Sequence, residues 1–171
     1  MKVSWKTVDN LPISIREMQA YGAACLVKFC SSRGIESPHV SLLVRHLLDL
    51  MTSSDLPDWE SKGAVLELSG RGDPIPDALL NVIRSSDLED FSRLVDSVVE
   101  VGLVDMYGAE TRQPLRFLNL AREILGGIGL TPPSIEELCL LSGRDQGWGA
   151  PLAKERAKKI EAWCLSHFRP E

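Results

Sequence analysis

Residues 86–103, SDLEDFSRLVDSVVEVGL, give the clearest prediction of the fold class. At 100° per residue, the apolar side chains of this stretch fill one broad arc of a helix, and the charged ones gather on the opposite side. An apolar face this wide must be covered by several neighbouring elements. The stretch therefore predicts the central helix of a bundle.

The flanking sequence predicts further helices and no convincing strand. Ser14 and Ser134 are each followed three residues later by Glu, which is a capping-box pattern, and Ser37 precedes a proline that suits the first turn of a helix. A similar start is expected at Ser86. Segments rich in glycine and proline separate the helical patterns and break regular structure.

Length and composition are those of a globular protein. The 171 residues are enough for one domain, and 44% of them are hydrophobic. We expect an all-α fold, a single-domain irregular or orthogonal bundle of about eight helices, with residues 1–11 as an extended N-terminal arm. No apolar run approaches the roughly 18 residues of a membrane helix, and the N-terminus does not look like a secretion signal, so we expect a cytoplasmic protein.

The cysteines and histidines do not predict a metal site. None of Cys25, Cys30, Cys139 and Cys164 belongs to a C-x-x-C pair, and all four fall in apolar helical patterns, so we interpret them as buried free thiols. Cys164 and His167 have the spacing of half a metal site, but no second pair completes it. We predict neither a metal nor a cofactor.

Motifs for catalysis are equally scarce. His39 and His46 lie seven residues apart on one predicted helix, about 10 Å along its axis, which is too far for a shared metal. The chain contains no G-x-S-x-G, H-E-x-x-H or P-loop pattern. The tripeptide at residues 71–73, Arg-Gly-Asp, is interpreted as a turn between helices. An enzyme is accordingly the least favoured of the functional classes.

Charge is distributed unevenly along the chain. Residues 55–110 carry thirteen acidic and four basic side chains, a net charge of −9, whereas each flanking segment carries +2. With −5 overall, general adhesion to nucleic acid or to an anionic membrane is disfavoured. An acidic segment is explained either by a solvated face that keeps the protein soluble or by a docking surface for a basic partner.

The leading hypothesis is a non-enzymatic protein that binds a basic protein partner through residues 55–110. The candidate contact residues are Asp58, Glu60, Glu89, Asp96 and Glu100. A bacterial immunity protein that blocks a basic toxin domain has this general size and charge, although the analogy rests on character and not on sequence resemblance.

The alternative hypothesis is a DNA-binding regulator that uses the basic C-terminal helix predicted over residues 151–168. Lys154, Lys158 and Lys159 lie on its outer face, and Arg144 belongs to the glycine-rich loop that precedes it. A short helix before that loop loosely suggests a helix-turn-helix. The connection over residues 143–150 is longer than the usual turn of three or four residues.

Overall fold

The structure, a computed structural model, describes residues 6–144 and 147–168, and the part of the chain that it describes contains helices and no strand. The predicted all-α fold of about eight helices is confirmed. Buried side chains from all of these helices contribute to one hydrophobic core. In chain order the elements are α1 (Ile15–Arg33), α2 (Pro38–Asp49), α3 (Leu56–Ala64), α4 (Asp77–Leu80), α5 (Ser85–Leu103), α6 (Gln113–Gly127), α7 (Ile135–Leu141), α8 (Lys154–Leu165) and a 3-10 turn (Ser166–Phe168).

Across these same ranges, no helix combines the length and the apolar character that crossing a membrane requires.

Four helix starts were predicted from a serine cap, and the structure confirms three of these predictions. The hydroxyl oxygens of Ser14, Ser37 and Ser134 each accept a hydrogen bond from a backbone N–H in the first turn. The start predicted at Ser86 is wrong, because α5 begins one residue earlier and its N-cap residue, Arg84, makes no side-chain cap. Ser86 is therefore already inside the helix.

The most central helix is α1, whereas the sequence predicted that α5 would hold this place. Fourteen of the nineteen residues of α1 are buried, and the helix packs against α2, α5, α6 and α8. Because α1 is covered on every side, its sequence does not show one apolar and one polar face. Periodicity therefore did not indicate its central position. Its Gly22, Ala23 and Ala24 keep the helix thin where its neighbours approach.

The wide apolar face of α5 is covered by α1 and α6. Phe91, Leu94 and Val98 are fully buried along this face. The ring of Phe91 packs against that of Phe29 on α1, with the ring centroids 6.0 Å apart. The apolar residues of α5 therefore face the core, and its charged residues face outward.

Buried polar side chains of α1 bind backbone carbonyls of its neighbours. Nη1 of Arg16 donates to the carbonyls of Leu50 and Ser53, at 2.6 and 2.7 Å. Nε2 of Gln19 donates to the carbonyl of Val98 at 2.7 Å. Since a buried polar group without a partner is costly, these bonds determine where the end of α2 and the middle of α5 lie against α1.

A second polar group joins α1 to α6 and to the segment before α7. The hydroxyl of Tyr21 donates to the carbonyl of Pro133 at 2.8 Å and accepts from Nη1 of Arg122. Burial raises the pKa of Tyr21, so the phenol stays protonated. Nη2 of Arg122 donates to the carbonyl of Lys6, so the same guanidinium also holds the N-terminal segment.

The predicted N-terminal arm is described only from Lys6 onward, and its first five residues lie outside the described part of the chain. Residues 6–11 contain no helix. The backbone of Val8 forms two hydrogen bonds with the side chain of Asn119 on α6, at 2.8 and 2.7 Å. This segment therefore lies along α6.

The contact between α5 and α1 leaves no room for a side chain at Gly102. A methyl group there would lie 2.4 Å from Oε1 of Gln19 and 3.0 Å from Cδ2 of Leu50. Overpacking costs about 1–3 kcal/mol, and alanine gains about 1 kcal/mol in helix propensity. We expect Gly102→Ala to lower the free energy of unfolding in urea by up to about 2 kcal/mol, the difference between the two effects.

Gly127, the last residue of α6, is the matched control for this substitution. A methyl group added at Gly127 has no atom within 4 Å. Gly127→Ala should leave the free energy of unfolding unchanged or raise it by up to about 1 kcal/mol. Equal stability of the two variants would contradict the packing described for α1 and α5.

Candidate functional site

Three of the five predicted acidic residues lie in one stripe along the outer side of α5. Glu89, Asp96 and Glu100 occupy positions i, i+7 and i+11, which share a face of a helix. Glu60 of α3 and Asp73 of the following loop lie beside this stripe and are connected to it through one turn of chain. We use the term acidic face for Glu60, Asp73, Glu89, Asp96 and Glu100.

Arg71 occupies the middle of the acidic face. Its Nη1 lies 2.6 Å from Oε1 of Glu60, and its Nη2 donates to the backbone carbonyl of the same residue at 3.2 Å. Its positive charge also acts on Glu100 of α5. One guanidinium therefore pairs with an acidic group of α3 and acts through its charge on one of α5, forty residues away in the chain.

The turn that carries Arg71 is bound to α5 by its backbone. The N–H of Gly72 donates to Oδ1 of Asp96 at 3.1 Å. A methyl group at Gly70, which has a φ of 70°, would lie 2.9 Å from Cγ2 of Val99, so the chain passes very close to the helix. Oγ of Ser69 donates to Asp73 at 2.6 Å and closes the turn. The Arg-Gly-Asp tripeptide thus forms part of the acidic face.

Glu100 is a half-buried carboxyl group of this face with a raised pKa. Its partial burial raises the pKa, the charge of Arg71 lowers it, and the neighbouring charge of Asp96 raises it by a smaller amount. Burial is therefore the main cause, and the attraction of Arg71 outweighs the repulsion of Asp96. An additional cation at this point would stabilise the charged form of both groups.

Two of the predicted acidic residues, Asp58 and Glu89, differ in their surroundings. Asp58 on α3 forms an exposed ion pair with Lys62, at 2.7 Å, so its charge is already compensated. Glu89 is exposed and lines a shallow apolar depression of about 590 Å³ between α4 and α5. Its apolar walls include Ile75, Leu80 and Leu88. One end of the acidic face therefore borders apolar surface.

The basic residues of the alternative hypothesis lie on α8 and on the loop before it. Lys154 and Lys158 of α8 line a groove that α8 forms with α2, while Lys159 is exposed outside that groove. Arg144 lies in the loop between α7 and α8, in a left-handed conformation with a φ of 60°. Nε1 of Trp163 donates to Glu137 at 2.8 Å and joins α8 to α7.

The histidines have separate environments. Nε2 of His39 lies 3.5 Å from Glu67, whereas the ring of His46 stacks on the ring of Trp59 with centroids 4.4 Å apart. Nδ1 of His167 lies 3.1 Å from a backbone oxygen, the carbonyl of Cys164. Among residues 6–144 and 147–168, no three metal-ligating side chains form a group that could hold an ion.

All four cysteines are free, but only three of them are buried as predicted, and the predicted burial of Cys139 is wrong because this side chain is partly exposed on α7. Cys25, Cys30 and Cys164 are fully buried, and Cys139 is half-buried. Burial raises the pKa of all four thiols, to about 12 for Cys25 and Cys30. These thiols are therefore protonated at neutral pH and are poor nucleophiles.

Sequence reasoning did not identify Arg71 as part of the site. Its partners Glu60 and Glu100 lie 11 and 29 residues away, so no local spacing connects them. The only local signal was the glycine on either side of Arg71, which favours a turn.

Comparisons with protein-family models, with curated proteins and with solved structures found no match to this chain, so its function is argued from the geometry of its own residues.

His46 links α2 and α3 in a way that makes the stability of the fold depend on pH. Nε1 of Trp59 donates to the carbonyl of His46 at 2.7 Å, beneath the stacked rings. Burial, with smaller contributions from the charges of Arg71 and Lys62, lowers the pKa of His46 from 6.5 to about 4. The unfolded chain therefore binds this proton more tightly, and the stability falls as the pH drops from above 6.5 to about 4.

We expect His46→Gln to lose this part of the pH dependence. One pKa unit corresponds to about 1.36 kcal/mol, and the partial exposure of the ring reduces the expected effect to about 1–2 kcal/mol. The measurement is urea unfolding near neutral pH and near pH 4.5, about two units below the unfolded pKa, for the wild type and the variant. His39→Gln serves as the control. An equal loss of stability in the wild type and in His46→Gln would contradict this role of His46.

Proposed function

We propose that this chain is a non-enzymatic protein-binding domain that recognises a basic partner protein through its acidic face. The observation that carries the proposal is that carboxylates of two helices gather at one turn of chain. Glu60 pairs with Arg71, Asp96 accepts from the N–H of Gly72, and the charge of Arg71 acts on Glu100. Converging charges of one sign raise the rate of encounter with a partner of opposite sign and disfavour partners of like sign.

The arrangement is more specific than a solvated charged surface. The turn at Gly72 is bound to Asp96, and Arg71 is bound to Glu60, so two of the carboxylates are held in place before a partner arrives. A partner therefore loses less side-chain entropy on binding them. Asp96 and Glu100 lie close enough to repel each other, so an arriving Lys or Arg side chain interacts favourably with both.

Apolar surface beside Glu89 supports the same proposal. Leu80 is 43% exposed and borders the depression between α4 and α5 together with Ile75 and Leu88. Protein interfaces typically combine an apolar centre with a polar rim, and a charged surface alone contributes mainly to the association rate. We propose that an apolar side chain of the partner enters this depression.

An inhibitor of the immunity type, which neutralises a basic toxin domain, fits the size of the chain and the charge of this face. We further propose a cytoplasmic location, supported by the four free cysteines, since unpaired thiols are typical of reducing compartments.

The test of the proposed surface is a triple charge reversal, Glu89→Lys, Asp96→Lys and Glu100→Lys. Partner proteins are isolated from native lysate on the wild-type chain and identified, and the association kinetics of each are then measured with both chains. The association rate should fall at least about tenfold in the variant, and its dependence on salt should weaken.

A control with the same change in net charge uses exposed acidic residues outside the acidic face. Glu36, Glu123 and Glu155 are exposed, and reversing them should leave association nearly unchanged. Equal effects of the two triple variants would show that only net charge matters, and unchanged kinetics in the acidic-face variant would refute the proposed surface.

DNA binding by α8 remains the second candidate, because neither Lys154 nor Lys158 forms an ion pair within the described part of the chain. This candidate predicts that the protein retards duplex DNA at low salt and that alanine at Lys154, Lys158 and Lys159 abolishes the retardation. The intact protein failing to retard DNA at low salt would eliminate it.

A further inference from the structure

A groove of about 440 Å³ lies between α2 and α8, outside the acidic face. Both helices pack on α1 but make little contact with each other. The N–H of Leu152, just before α8, donates to the carbonyl of Met51, just after α2, at 2.7 Å. At the other end, Ser31 at the end of α1 donates to the carbonyl of Phe168. The two helices therefore run in opposite directions along the groove.

The groove has the length of a helix of about three turns. Its lining residues on α8 begin at Lys154 and recur every three or four positions as far as Leu165. At 1.5 Å per residue this stripe is about 16 Å long. The opposite wall is formed by α2 from Ser41 to Asp49 and by the turn that follows it as far as Thr52. A straight channel between two antiparallel helices is the geometry in which a third helix packs.

Apolar side chains form much of the groove surface. Leu165 is 38% exposed and Phe168 is 40% exposed, so apolar area remains in contact with water. An occupant with an apolar stripe at helical spacing would cover this area. The apolar residues that line the groove are Val44, Leu48, Met51, Ala157, Leu165 and Phe168.

The charges on the rim indicate the chemistry of the occupant. Lys154 and Lys158 lie one turn apart on the same side of the groove, and neither has an ion-pair partner among the described residues. Across the groove, Asp49 already lies beside Arg45. Glu161 of α8 also lines the groove and acts on Asp49 as a like charge. The charged side chains of the lining are thus three basic and two acidic, and the unpaired Lys154 and Lys158 call for carboxylates on the occupant opposite those two positions.

The same rim disfavours other occupants. A nucleic acid is disfavoured because its evenly spaced phosphates would meet Asp49 and Glu161 as well as the lysines, whereas a helix can carry carboxylates opposite Lys154 and Lys158 alone. A small ligand is disfavoured because the groove is open along its length, and its charged groups lie on the rim and not in an enclosed end.

We propose that the groove between α2 and α8 is a docking site for an acidic amphipathic helix of a partner protein. The apolar stripe of that helix packs on the apolar side chains of the groove, and its Asp or Glu residues face Lys154 and Lys158. This site is separate from the acidic face, so the chain has surfaces for two partners of opposite charge.

The proposal is tested by selecting, from a library of displayed peptides, those that bind the intact chain. The probe is a library of helical peptides of about 16 residues, with leucine fixed at one stripe and Glu, Gln or Lys varied at the flanking positions. Peptides with Glu at consecutive turns of one flank should be enriched. A library that returns no binder, or binders enriched in Lys, would overturn the proposal.

Adjacent residues of α8 supply a matched pair of variants for the selected peptides. Lys158 lines the groove, whereas Lys159 lies outside it. Replacing either lysine with glutamate changes the net charge by the same amount. Lys158→Glu should weaken binding at least about tenfold, and Lys159→Glu should change it little. Equal effects of both substitutions would contradict docking in the groove.

A second pair of variants tests the apolar contact without disturbing the core. Ser41 is exposed on the groove wall, and Ser41→Trp should block the groove and abolish peptide binding. Leu140 on α7 is 81% exposed and lies outside the groove, so Leu140→Trp is its control. Circular dichroism of each variant confirms that it is folded. Peptide binding that survives Ser41→Trp would also overturn the proposal.

Discussion

The burial of α1 on all sides is the constraint on which the rest of the structure depends. A helix in this position has no solvent to hydrate its polar side chains, so each must find a partner in a neighbouring element. Arg16 binds carbonyls after α2, Gln19 binds a carbonyl of α5, and Tyr21 binds one before α7. Glu17 accepts a hydrogen bond from the N–H of Gly143 after α7. Four side chains of one helix thereby position much of the bundle.

Both surfaces to which we assign binding follow from this arrangement. Since α5 turns its apolar face toward α1 and α6, Glu89, Asp96 and Glu100 are left on the outside, where the turn with Arg71 connects them to α3. Since α2 and α8 both pack on α1 and not on each other, a groove remains between them. The core therefore determines not only stability but also which side chains are offered to partners.

Local signals in the sequence were reliable where the interaction itself is local. Ser14, Ser37 and Ser134 cap helices as their spacing predicted, because a cap bonds to an N–H only two or three residues away. Ser86 failed as a cap because a residue already inside the first turn cannot occupy the N-cap position. The central place of α1 was missed because its small and apolar residues, with a few buried polar ones, show no one-sided pattern. The contacts of Arg71 were missed because they depend on which helices become neighbours.

The sequence by itself determined the helical class, the separation of the helices by glycine and proline, and the concentration of acidic residues in the middle third. Each of these depends on residues close together in the chain, where backbone preference, periodicity and charge can be evaluated without neighbours. Only the tertiary structure decided that Arg71 pairs with Glu60 while its charge reaches Glu100, and that Lys158 borders a groove while Lys159 does not. These features depend on how α1 orients the helices around it, and that orientation results from packing between residues far apart in sequence.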